Sequence, residues 1–182
     1  MNTYVILLRA IGPITHKVMS MARWRDAVAA AGFEDPVTYL ATGNMIASGP
    51  GSIETVSERM NGVVADLGLG PSNVAVVRRP AELRAVLEAN PFPEAAAERP
   101  SQMQVFCFAD RRPDFGWTAD HGGPELFAVV DGHLVVDYSG RISESSRLGN
   151  LIEKRCGPGT GRNWNTLRGL VERAGAREQK DT

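Results

Sequence analysis

The chain has 182 residues, 43% of them hydrophobic and 23% charged, a balance that excludes global disorder and a coiled coil and suits one domain or two small ones. With 20 basic and 21 acidic side chains the formal charge is −1, so no global field draws in a polyanion, and nucleic-acid binding would need a local patch. No apolar run approaches the roughly 20 residues of a bilayer span, and residues 1–9 lack the basic start and long apolar stretch of a signal peptide; the expectation is a cytoplasmic protein without membrane contact.

Residues 3–9 (TYVILLR) form a β-rich run that is apolar on both faces, as a central strand is. Ser20 stands as an N-cap before Met21, Trp24, Val28 and Ala31 at helical spacing, and Gly32 closes that helix. Residues 37–42 and 45–48 read as two antiparallel strands around a tight turn at Gly43-Asn44. Ser52 caps a second helix whose stripe is Ile53, Val56, Met60, Val63 and Leu67, ending at Gly68, and residues 74–78 make a fourth strand. The resulting β-α-β-β-α-β order predicts a ferredoxin-like subdomain over residues 1–79.

The second subdomain, residues 80–182, opens with a helix from Pro80 carrying Leu83, Val86 and Leu87, which Asn90-Pro91-Phe92-Pro93 ends. Residues 102–109 alternate as a strand, and residues 110–124, rich in Pro, Gly and charge, are expected as a long exposed loop. Asp131-Gly132 between two apolar runs predicts a type I′ hairpin, since both positions tolerate positive φ. Leu148, Leu151 and Ile152 mark one helix, and Leu167, Leu170 and Val171 mark another from Asn163 onward, with a frayed polar tail after Gly175. The fold class is therefore α+β, a ferredoxin-like first half followed by a related α+β second half packed against it.

The segments LLRAIGPITHKVMSM, GFEDPVTYLATGNMIAS, ANPFP and GPGTGRNWNTL together resemble the bacterial family called domain of unknown function 1697, with residues 160–166 as the most specific part of a likeness that runs over nearly the whole chain. The resemblance implies two ferredoxin-like halves and brings no established activity. It extends to Arg9, Lys17, Met19, Gly43 and Asn44, while Arg147 stands where the family usually has lysine. The chain departs from the family at residues 10–15, where Ala-Ile-Gly-Pro-Ile-Thr replaces the usual Gly-Ile-Asn-Val-Gly-Gly.

Residues 157–162 (GPGTGR) read as a glycine-rich turn running into a helix, whose exposed N–H groups favour an anion. Gly161 and Arg162 would contact it, with Asn163 and Asn165 as hydrogen-bonding groups; capping by Thr160 or Asn163 explains the same residues. Arg9, Lys17 and Asn44 are the further candidates, completing a small-anion site in a cleft between the halves. Three histidines, at 16, 121 and 133, show no zinc spacing, and the chain lacks a P-loop ending and a Gly-x-Ser-x-Gly elbow, so no metal, cofactor or catalytic residue is assigned. The alternatives are an enzyme acting on such an anion and a nucleic-acid or protein interaction module. Nucleic acid is the less favoured partner; Arg111-Arg112 beside Phe115 and Trp117, and Tyr4 and Phe106 on the strands, are the residues that would carry it.

Overall fold

The structure is a computed structural model that describes residues 1–180. Its contacts divide into two compact units, one of residues 1–81 with the C-terminal segment from Leu170, the other Glu82–Gly169. The division falls two residues beyond the expected 79/80 boundary. The end of the last helix belongs to the first unit rather than to the second subdomain, in which the sequence alone placed it.

In the first unit the chain runs β1 (Asn2–Leu8), α1 (Pro13–Val18), α2 (Met21–Ala30), β2 (Glu34–Thr38), β3 (Asn44–Gly49), α3 (Ile53–Asp66) and β4 (Ala75–Arg78). All pairings are antiparallel in the order β2-β3-β1-β4, so β3 is inserted between β1 and β2. Ser20 and Ser52 accept from the backbone N–H of Arg23 and Thr55, as capping requires, and Gly32 and Gly68 take positive φ just past the two long helices. Tyr4, Ile6 and Leu8 of β1 enter one core with Trp24, Val28, Val56 and Met60, while Val5 and Leu7, on the opposite face, are also fully buried. The β2–β3 connection is longer than the expected two-residue turn. Residues 39–43 make it, and Asn44 is the first residue of β3.

The second unit contains most of α4 (Pro80–Ala89), then α5 (Pro93–Glu98), β5 (Met103–Phe108), β6 (Leu126–Val130), β7 (His133–Asp137), α6 (Leu148–Cys156) and β8 (Gly159–Asn163), followed by the start of α7 (Trp164–Lys180). Its antiparallel order, β6-β7-β5-β8, repeats that of the first sheet strand for strand. Asp131 (φ +47°) and Gly132 (φ +75°) form the two-residue hairpin turn, with Val130 paired to His133.

Several elements differ from the sequence expectation. The helix α5 follows the Pro-rich stop at once, because a proline at a first helical position lacks only an N–H that the helix leaves unused. Residues 159–163, expected as a flexible turn, are the edge strand β8, with Gly159 opposite Phe108 and Gly161 opposite Phe106. Within residues 110–124 lies a 3-10 turn, Gly116–Asp120, and Phe115 and Trp117 pack on the core of Phe108, Leu134, Val136 and Ile152. The helix α7 continues to Lys180 through the expected frayed tail, the last two residues of which lie outside the described residues.

Candidate functional site

The expected anion-site residues fall in both units, and most have internal roles. Arg9 donates from Nη1 to the Ser72 carbonyl at 2.7 Å, while its own carbonyl accepts from Asn73 Nδ2, so it ties the end of β1 to the loop before β4. Asn44 is wholly buried and donates to the Tyr39 carbonyl (2.9 Å) and to Thr42 Oγ1 (3.0 Å), holding the β2–β3 connection closed. Lys17 is exposed in the last turn of α1.

In the second unit the helix-start geometry expected of Gly161 and Arg162 is replaced by β8, whose backbone groups serve the ladder with β5. Arg162 is 8% exposed and donates to Thr160 Oγ1 and the Gly161 carbonyl; burial pushes its guanidinium down to about 10, against a smaller upward pull from Cys107. Asn163 accepts from the Thr166 N–H at 2.8 Å, the capping arrangement, and Asn165 is exposed beside Arg168.

The loop substitution at residues 10–15 has a backbone meaning. Ala10 sits at φ +59°, a region that favours glycine, the residue the resemblance implies at that position.

The second unit also carries a constellation that the sequence reading did not assemble. His121 Nε2 lies 2.7 Å from Glu125 Oε2, and the Glu125 side chain is only 6% exposed. Burial alone would raise this carboxyl; hydrogen bonds from His121, Ser145 and its own backbone N–H overcome that and hold it below the ordinary range. An ionised carboxylate only accepts, so Nε2 of His121 carries the shared proton. The imidazole is fixed edge-on against Phe127 (4.9 Å) and Trp117 (6.4 Å), and the Trp117 indole N–H reaches Cys156 Sγ at 3.4 Å. Gly123 passes so close to the pair that a Cβ there would collide with Glu125 Oε2 and His121 Nε2.

His121 and Leu151 line two grooves at once. One, of about 500 Å³, adds Glu125, Glu144, Ser145 and Arg147; the other, of about 610 Å³, adds Asp114, Trp117, Asp120, Lys154 and Arg155. The i,i+4 spacing of His121 and Glu125 is visible in the sequence, but its Pro- and Gly-rich setting reads as an unstructured loop and conceals it.

Tyr4 is wholly buried with its hydroxyl on the Gly51 carbonyl, Phe106 is partly buried, and Arg111 pairs with Glu82. Among the described residues no group of three His, Cys, Asp or Glu could hold a metal, and no helix is long and apolar enough to cross a membrane.

No curated protein matches the chain. A solved structure similar to it is a conserved bacterial protein, SP0830 from Streptococcus pneumoniae, with a TM-score of 0.72 and 17% identity, over 96% of this chain and 98% of that one. At that identity the likeness shows the fold, a mixed α+β architecture. The family described as "Protein of unknown function (DUF1697)" matches residues 1–130, which leaves the segment 160–166, singled out in the sequence as the most specific part of the resemblance, outside the match. The chain belongs to the DUF1697 family of proteins of unknown function.

Proposed function

We propose that the chain binds a small anionic ligand, and that the grooves sharing His121 receive it. The observation that carries this reading is the pairing of Lys154 and Arg155, both exposed at the end of α6, with Trp117 and His121 on the lining of one groove. The cations offer charge-assisted hydrogen bonds and the ring an apolar wall. Asp114 and Asp120 on the same lining limit the ligand's charge: a polyphosphate would meet two carboxylates, whereas a small carboxylate or phosphate that also carries a donor satisfies both signs.

A thermal-shift screen of inorganic phosphate, nucleotides and small organic acids at millimolar concentration tests this. A ligand at about 100 times its dissociation constant adds roughly 2.7 kcal/mol of stability. The double variant Lys154→Ala, Arg155→Ala is expected to keep the wild-type melting temperature, as exposed substitutions do to within about 0.5 kcal/mol, and to lose the response. Lys17→Ala, on the other unit, tests the sequence-derived alternative. No stabilisation by any of these anions refutes the reading.

A further inference from the structure

We propose that His121 is a general base, accepting a proton through Nδ1 from water or an acidic group of a small anion in the groove, and that Glu125 is its positioning residue. The inference rests on the ligand reading above for the anion, and on separate geometry for the base.

Nε2 is committed to Glu125 at 2.7 Å, and among the described residues Nδ1 has no hydrogen bond. In the neutral imidazole with the proton on Nε2, Nδ1 therefore holds the basic lone pair. The carboxylate does two things for it: it selects this tautomer, and it stabilises the imidazolium that forms when Nδ1 takes a proton. Glu125 is itself restrained by Ser145, and the ring by Trp117 and Phe127, so the base is held in one orientation. The absence of a side chain at Gly123 is what permits the close approach of the loop to the pair. A surface ion pair formed by chance would need none of this support. His121 borders both grooves, so a bound anion and the base share one space. The charged groups around it are Glu125, Glu144 and Arg147 in one groove and Asp114, Asp120, Lys154 and Arg155 in the other, and Tyr138 feels the Glu125 charge.

The test uses the full chain with p-nitrophenyl acetate as a probe electrophile. Water gives a proton to Nδ1 as its oxygen bonds to the acetyl carbon; p-nitrophenolate leaves with the electrons of the broken C–O bond, and the imidazolium returns its proton to solvent. Release is expected to fall roughly 10²-fold in His121→Gln, the lower end of a general-base contribution, and to slow in deuterium oxide. Glu125→Gln is expected to retain the fold and alter the pH profile of release, an effect that a purely structural residue would not produce. Nitrogen-15 NMR of the wild-type protein should show the Nε2–H tautomer, whatever the stability of the variants, and inorganic phosphate should shift Nδ1.

Equal release by wild type and a folded His121→Gln, or an Nδ1–H tautomer in the wild type, overturns the base. Phosphate that binds while release is unchanged by the substitution leaves the ligand reading standing without it. A large drop in release with no phosphate response, and none to the organic acids, does the reverse.

Discussion

Two glycine-to-alanine substitutions of opposite expected sign test whether residues 159–163 are a packed strand or the flexible turn their composition suggests. Gly62 lies inside α3 with nothing within 4 Å of where a Cβ would stand, so Gly62→Ala should stabilise by about 1 kcal/mol, the helix-propensity difference. At Gly159 the Cβ would stand 2.5 Å from Phe108 Cδ1 and 2.9 Å from the Cys107 carbonyl oxygen. Phe108 is wholly buried, with the rings of Phe106 and Phe115 at 6.4 and 5.9 Å, and the carbonyl is backbone, so neither neighbour yields freely. Overpacking of this kind costs roughly 1–3 kcal/mol, against roughly 0.5–1 kcal/mol recovered by removing a glycine from a strand. The net expectation is a loss of about 1 kcal/mol at mid-range, at most about 2.5 kcal/mol, and a fall in melting temperature of roughly 2–4 °C for each kcal/mol lost. Thermal unfolding reads the size of the change, and amide hydrogen exchange in β5 and β8 reads its location. A flexible turn would instead gain from alanine, so a Gly159→Ala protein as stable as wild type, or more so, refutes the packing argument.

Ala10→Gly should stabilise by about 0.5–1 kcal/mol in urea unfolding, because relief of a left-handed alanine, worth roughly 1–2 kcal/mol, exceeds the added freedom of the unfolded chain. Glu125 has a folded-state pKa below its unfolded value, so its contribution is present above about pH 4.3 and lost as pH falls through the lower folded value; Glu125→Gln should remove that part of the acid slope. Tyr138 is pushed up to about 12, first by burial and then by the Glu125 charge, so its contribution is complete below about pH 10 and fades toward pH 12, and Tyr138→Phe should flatten this alkaline limb. Cys107 and Cys156 are buried thiols, and titration of the denatured, unreduced protein should count two; a count of zero would reveal a disulfide.

The features legible in the sequence are those whose causes are local. Ser20 and Ser52 cap because a hydroxyl reaches an N–H three residues on, and Asp131-Gly132 turns because both residues tolerate positive φ. The strands of the first unit and its two longer helices follow from such punctuation together with alternating and helical apolar spacing, whereas the short helix α1 (Pro13–Val18) is not signalled. Asn163 and Thr160 were readable as capping residues for the same reason, and Asn163 does cap α7.

What only the tertiary structure decided depends on partners distant in sequence. Residues 159–163 have a turn's composition and become a strand because β5, more than 50 residues earlier, supplies the ladder and its Phe106 and Phe108 rings require glycine opposite them. Arg162, read as an exposed anion contact, is buried by that same pairing. His121 and Glu125 stand in a segment whose Pro and Gly content signals exposure, yet Trp117 and Phe127 pack on the core of the second unit and hold the imidazole, and the Glu125 side chain is only 6% exposed. Burial is set by what packs on a residue from elsewhere in the chain, and burial is what turns an i,i+4 pair of titratable side chains into an oriented acid–base site.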